Sequence, residues 1–330
     1  MKVITEATDL KGKRVLVRAD WSVPMKDGKV GTDYQIKISL PTINFLQEAG
    51  AKVIVATHLE STDNDIKTLH PYLPEGVELL PNLRENPGEK ENSEEFAREL
   101  ASHADIYVNE AFPESHRNYA SIVGVPKLLP SYAGLRMAEE IKQLSKAFYP
   151  KHPFLFILGG SKFDTKMPLL EKFVNIADNI FVGGALANNF FKEEGLDVGA
   201  SLVSPVDFQL NSLLDTGKII LPVDTIVQDN KILDVGPFSI EKLQEKIALA
   251  SLIVWNGPMG TYENGYKTAT LELAKLIGNS EAESIVGGGD TLAAIEELKI
   301  MDKFSFVSTG GGSMLDFLAH GTLPGIEALG

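Results

Sequence analysis

At 330 residues, 44% of them apolar, the chain can build two hydrophobic cores, and its composition is neither disordered nor fibrous. A total of 31 basic against 45 acidic residues gives a formal charge of −14, which argues against general nucleic-acid binding, since that needs a concentrated basic face. The absence of cysteine excludes disulfides, thiolate zinc sites and thiol nucleophiles. The stretch MKVITEATDLKGKR lacks an apolar leader and no run approaches a membrane span, so a cytoplasmic protein without a membrane partner is expected.

The first predicted strand is Arg14 to Arg18 in RVLVRADWSVP, which ends at Asp20. Ile36, Leu40, Ile43 and Leu46 then recur at about one helical turn and predict a helix. The next strand, Lys52 to Ala56 in VIVATHLESTDN, delivers His58 to its carboxyl end, where parallel α/β sheets bind ligands. Glu60 follows where an anion site would use a cation. NLRENPGE brings Arg84, a helix spans Glu94 to Leu100, and a strand spans Ile106 to Asn109. NEAFPESHRNYAS then adds His116 and Arg117. With His58 and Lys37 these residues form a candidate ring for a small anionic acid. His58 alone reads equally as a hydrogen-bonded histidine at a strand end, and no histidine pair has metal-ligand spacing. A helix over Met137 to Phe148 precedes AFYPKHPF (147–154), the best candidate for a domain boundary.

The second half has predicted strands at Phe154 to Leu158, Asn179 to Val182, Ile219 to Val223, Leu252 to Trp255, Ser284 to Val286 and Phe304 to Val307. Glycine clusters follow five of them: ILGGSKFDTK (157–166), FVGGALANN (181–189), VWNGPMGTYE (254–263), IVGGGDTLAA (285–294) and VSTGGGSMLD (307–316). Glycine there lets backbone approach a ligand, and the helix start behind it offers free N–H groups to an anion. One cluster is explained by turn sterics alone; five at the same end of successive strands point to a shared, phosphate-rich ligand. Lys162 and Lys166, four residues apart, are expected to point across the first turn at a phosphate. Asp290 is a candidate ligand for magnesium carried by a nucleotide, and Glu263 a candidate acceptor for a ribose. Each taken alone reads equally as a surface charge or helix cap. Neither GxxxxGK[ST] nor GxGxxG occurs, so a nucleotide would be held by dispersed strand-end loops. The β-α alternation throughout implies parallel sheets with helices on both faces.

The motifs LKGKRVLVRAD, THL, NLR, AFPESHR, LPSYAGLRMAEEI, LGGSKFDTK, VGGALANNF, LPVD, DVGP, VWNGPMGTYE, IVGGGDTLAA, FSFVSTGGGSMLDFL and LPGIEAL run the length of the chain. In this order they resemble the phosphoglycerate kinase family. The resemblance implies two doubly wound, Rossmann-like parallel-sheet lobes joined by a hinge helix near 133–148. Residues 1–148 would hold the three-carbon acid, with the tail 317–330 packing back on them. Residues 149–316 would hold Mg-ATP or Mg-ADP. The implied reaction moves a phosphoryl group between ADP/ATP and the carboxylate of 3-phosphoglycerate, in a monomer whose lobes close over the substrates.

Carried over residue by residue, Lys162 would stand beside the transferring group, with Gly289 and Gly312 as further catalytic positions. Lys166 would bind ATP phosphates and Glu263 the ribose. Gly183, Gly184 and Asn256 join the nucleotide positions. Gly288, Gly289, Asp290 and Thr291 would cradle phosphates and magnesium, and Gly310 and Gly311 would offer N–H groups with Gly312. The acid-binding positions would be Asp20, Ser22, Gln35, His58, Ser61, Arg84 and Arg117.

Here the acid lobe departs from the family pattern. DFN reads Asp20-Trp21-Ser22, TRIR reads Tyr34-Gln35-Ile36-Lys37, HLGRP reads His58-Leu59-Glu60-Ser61-Thr62, and HRAH reads His116-Arg117-Asn118-Tyr119. Two of four family arginines are therefore replaced, each contact being worth roughly 1.5–3 kcal/mol. The segment 63–80 is short for the family. Three readings stay open: a phosphoglycerate kinase in which Lys37 covers part of the lost charge, a paralogue acting on a different carboxylic acid, and a catalytically silent nucleotide-binding protein.

Overall fold

The computed structural model describes residues 1–26, 28–60, 65–206 and 208–330. By its contacts the chain divides into two compact units, Met1–Lys142 with His320–Gly330, and Gln143–Ala319. Each is built on one parallel sheet, so the doubly wound α/β expectation holds.

In the first unit the spatial order is Glu78–Leu79, Lys52–Ala56, Arg14–Ala19, Ile106–Glu110 and Ser131–Ala133, all parallel. Taken in chain order, the five strands lie 3-2-1-4-5. Strand Ile106–Glu110 is buried at every position and Arg14–Ala19 at all but its first, as strands covered on both faces must be. Val15, Val17, Val53, Val55 and Val108 pack on Ile36, Ile43 and Leu46 of the helix Tyr34–Glu48, the stripe that the helical period predicts. Trp21, in place of the family's aromatic, is fully buried in this core, its Nε1 donating to Ser39 Oγ at 2.7 Å. The tail is anchored where Gly325 N donates to Ser115 O at 2.8 Å.

In the second unit the order is Ile219–Ile220, Asn179–Val182, Phe154–Leu158, Leu252–Asn256, Glu283–Gly287 and Phe306–Val307, again all parallel. In chain order this is 3-2-1-4-5-6, the arrangement of nucleotide-binding doubly wound sheets, with a crevice where the order reverses between strands 1 and 4. All nine predicted strands are present. Ile219–Ile220 is shorter than expected because Pro222 removes an N–H that the ladder needs. Phe306–Val307 starts late because Met301–Lys303 forms a short 3-10 helix.

The sequence reading missed the short edge strands Glu78–Leu79 and Ser131–Ala133 and the hairpin Thr225–Gln228 with Lys231–Val235. That hairpin turns on Asp229 and Asn230, both at positive φ, the residue types that most readily adopt a left-handed turn after glycine. Among the described residues no helix is long and apolar enough to cross a membrane.

Candidate active site

In the second unit the two central turns lock together. Gly159 N donates to Asn256 O at 2.9 Å, Gly160 N to Pro258 O at 2.8 Å, and Gly184 N to Met259 O at 3.1 Å. A Cβ on Gly257 would fall 2.5 Å from Gly159 O, and one on Gly184 would fall 2.6 Å from Gly160 N. These glycines exist for contact between turns. Gly183 belongs with them, since its Cβ would meet Met259 Sδ at 2.6 Å. At Gly289 and Gly311, by contrast, a Cβ would meet nothing within 4 Å, so packing does not account for these two glycines. The five clusters thus divide between packing and open approach.

Around these turns lies a cavity of about 400 Å³ lined by Lys162, Gly184, Glu263 and Asp290 among the expected residues. Its apolar side includes Phe191, Pro222, Val235 and Met259, surfaces suited to a flat heterocycle. The helices Phe163–Phe173, Gly184–Glu193, Gly289–Leu298 and Gly312–His320 each follow a strand of this sheet after a short turn, which places their N-terminal N–H groups at that edge.

Lys162 is the exposed residue just before its helix and Lys166 is buried in the first turn, so the two do not form an exposed pair one turn apart. Lys166 Nζ donates to Gly159 O. Burial, then the charge of Lys162, pushes its ammonium down to about 8, with Asp290 pulling the other way. Asp290 sits in the first turn of its helix on the cavity wall. One carboxylate there suits magnesium, which keeps most of its waters and is otherwise held by phosphate oxygens.

Other expected positions lie on the same sheet edge without lining the cavity. Thr291 Oγ1 accepts from Gly257 N at 3.0 Å, Asn256 is buried beneath Gly288, and Gly310 N donates to Ser308 Oγ at 3.1 Å. Gly312 is exposed at the start of its helix. Asp234 on the cavity wall was missed. Its carboxyl is pushed up to about 6 by burial, although the N–H groups of Ala269, Val235 and Thr268 oppose that. The signal available was the aspartate in DVGP.

In the first unit Asp20, directly after the strand Arg14–Ala19, accepts from Ser22 Oγ at 2.6 Å. Burial raises its carboxyl above the usual range, Ser22 lowers it and the nearby Glu114 raises it. Arg18, which the sequence reading did not select, is fully buried. It donates through Nε to Ser121 Oγ at 2.9 Å and through Nη1 to Ala19 O at 2.5 Å, and its Nη2 lies 3.2 Å from His58 Nδ1. Because a guanidinium only donates, His58 Nδ1 is the acceptor and the ring proton sits on Nε2. Nε2 then donates to Glu60 Oε1 at 3.1 Å. Burial first, and then the charges of Arg18, Arg84, Arg117 and Lys90, hold His58 neutral with a pKa of about 2.

Arg84 Nη2 lies 2.9 Å from Glu114 Oε2 and 3.6 Å from Glu60 Oε1. Its guanidinium stacks over Tyr119 at 4.7 Å, and Arg117 shares the same ring at 5.6 Å while its Nη1 donates to Tyr119 Oη at 3.3 Å. The residue that replaces the family's second histidine therefore orders both arginines. Arg84 Nε and Nη1 are buried without a hydrogen-bond partner among the described residues, and so is Gln35 Oε1. His58, Glu60 and Glu114 bring ligand atoms within 4.8 Å of one another, but the Arg84 guanidinium already serves as their cation. Lys37 is exposed and paired with Asp33 at 3.0 Å at its own helix start. Ser61 lies outside the described residues.

The protein thus has two doubly wound α/β units, one with a cavity of about 400 Å³ and the other with a ring of arginine and histidine. The sequence model of phosphoglycerate kinase matches residues 4–75 and 63–321. The phosphoglycerate kinase of Leptospira biflexa is 37% identical, the match covering 99% of this chain and 98% of that protein. The cytosolic phosphoglycerate kinase of Triticum aestivum is 38% identical over 97% of this chain and 96% of its own. The solved phosphoglycerate kinase of Coxiella burnetii superposes with a TM-score of 0.86 at 34% identity, covering 99% and 98% of the two chains. The chain belongs to the phosphoglycerate kinase family. The two parts of the family match overlap at 63–75, within the segment that is short in this chain.

Proposed function

We propose that the protein transfers a phosphoryl group between Mg-ATP or Mg-ADP and the carboxylate of 3-phosphoglycerate, as a cytosolic monomer. The observation that carries this reading is the cavity in which Lys162, Gly184, Glu263 and Asp290 come together, in a chain that matches phosphoglycerate kinases over its whole length. Such a transfer needs alignment and neutralisation of spread charge more than covalent chemistry.

In this reading the apolar wall formed by Phe191, Pro222 and Val235 takes the base, and Glu263 accepts from ribose hydroxyls. Lys166 and the helix starts at Gly289 and Gly312 offer N–H donors to phosphate oxygens, and Lys162 neutralises the group in transit. Asp290 is the residue that would hold magnesium, which would supply positive charge to offset that of the phosphates. In the first unit Arg84, Arg117 and His58 orient the acid.

A coupled assay with 3-phosphoglycerate and Mg-ATP tests the reading, and turnover is expected. If there is no turnover while ADP still raises Tm, the nucleotide half stands and 3-phosphoglycerate is the wrong acid.

A further inference from the structure

Glu60 is 70% exposed at its side chain, yet its carboxylate turns back onto the two best donors of the acid site, His58 Nε2 at 3.1 Å and Arg84 Nη2 at 3.6 Å. Those donors are held in place from behind. Arg18 orients the His58 ring, while Glu114 and the Tyr119 ring hold Arg84, whose side chain is only 5% exposed. The two remaining nitrogens of Arg84 are buried without a partner among the described residues. The guanidinium is therefore divided, with Nη2 bonded by the protein's own carboxylates and Nε and Nη1 left unbonded among the described residues. Three guanidinium groups (Arg18, Arg84 and Arg117) and Lys90 act on this site together with three carboxyl groups (Asp20, Glu60 and Glu114), so part of its positive charge is already offset from within the protein.

We infer that Glu60 is a specificity-determining residue that occupies the anion position of the acid site and must be displaced before a phosphate can bond His58 and Arg84. Its exposure makes displacement sterically easy. The carboxylate still remains beside the incoming group, where like charges in a partly desolvated site oppose each other. Glu60 thus sets a charge limit on the acid. Any acceptor at these donors competes with Glu60, and the opposition grows with its charge, strongest for a dianionic phosphate and weakest for an acid carrying a hydroxyl there. The inference deepens the kinase reading and rests on that reading for the identity of the site.

The test uses the full chain and inorganic phosphate as probe, with Kd measured by calorimetry for the parent, Glu60→Gln and Glu60→Ala. The glutamine keeps the size and hydrogen bonds of Glu60 and removes its charge; the alanine removes both. Phosphate is expected to bind about ten-fold tighter to the glutamine variant and tighter again to the alanine variant. In 3-phosphoglycerate turnover KM is expected to fall by a similar factor with kcat little changed. Equal phosphate Kd in the three proteins would overturn the inference whatever the kinase assay reports. Tighter phosphate binding without any 3-phosphoglycerate turnover would uphold Glu60 as the occupant and remove the kinase reading instead. Melting curves of each variant guard against misfolding, and Arg84→Met serves as the reference for a site that has lost its donor.

Discussion

Arg18 Nη2 meets His58 Nδ1 at 3.2 Å, and this buried contact sets which face of the imidazole the acid site sees. With Nδ1 accepting, the ring can only donate from Nε2, towards Glu60 and any anion that replaces it. Burial, and then the surrounding arginines, make this histidine a fixed neutral donor, not a proton shuttle.

His58 should therefore stay neutral, protonated on Nε2, across the whole range where ordinary histidines titrate. Nitrogen NMR of the ring between pH 5 and 9 checks this, and a shift centred near 6.5 would contradict it. The unfolded chain binds a proton near 6.5 that the native ring refuses down to about 2. The native state thus binds fewer protons, and the stability tied to His58 is present above 6.5 and lost as pH falls below it.

Lys166 carries a different pH signature. Its ammonium is charged in the free protein below about 8 and increasingly neutral above it, because burial and Lys162 disfavour the charge. A nucleotide phosphate prefers the charged form. ADP affinity should fall by about ten-fold between pH 7.5 and 9.5, and Lys166→Met should flatten that slope while weakening binding at neutral pH. Calorimetric titrations across this range decide it. An equal slope in both proteins would place the titration elsewhere.

Much of this architecture was legible in the chain. Apolar runs such as Val53–Val55 and Phe154–Leu158 became central strands because burial on both faces leaves no room for polar residues. The glycine clusters marked the right sheet edge, but sequence could not separate Gly257, which another backbone approaches, from Gly289, which faces open space. That distinction depends on a turn about a hundred residues away. Arg18 was invisible for a similar reason. An arginine inside an apolar strand looks like an outward-facing residue until Ser121, from a distant loop, is seen to accept its Nε–H. Glu60 was legible as an anomaly only; its partner Arg84 is set by a separate turn, where Asn82 Oδ1 accepts from Arg84 N.

The division among glycines can be measured directly. Gly257→Ala places a Cβ 2.5 Å from Gly159 O at a φ of 97°, and should cost on the order of 3 kcal/mol in stability. Gly289→Ala has no such neighbour and should change stability by less than about 1 kcal/mol, yet weaken ADP binding because the new methyl faces the ligand side. Urea melts with and without ADP separate the two. A stability loss at Gly289 matching that at Gly257 would mean both are packing glycines.

Glu110 supplies the remaining pH test. Its carboxylate closes the start of the helix Leu135–Ser145: Oε1 accepts from Thr42 Oγ1 at 2.5 Å and from Arg136 N at 3.1 Å, and Oε2 accepts from Met137 N at 3.2 Å. Thr42 Oγ1 in turn accepts from Leu135 N at 2.8 Å, so the first three N–H groups of the helix are satisfied. Burial nevertheless outweighs these bonds and pushes the carboxyl up to about 7 from 4.5. Between those values the native state binds a proton that the unfolded chain has released. The stability tied to Glu110 is therefore complete below 4.5 and lost as pH rises through about 7, opposite in sign to that of His58. Glu110→Gln removes the titrating group. Its stability relative to the parent should rise by roughly 3 kcal/mol between pH 4.5 and 8. Unfolding free energies of both proteins at pH 5, 6, 7 and 8 give that difference. A difference independent of pH would show that Glu110 titrates in its ordinary range.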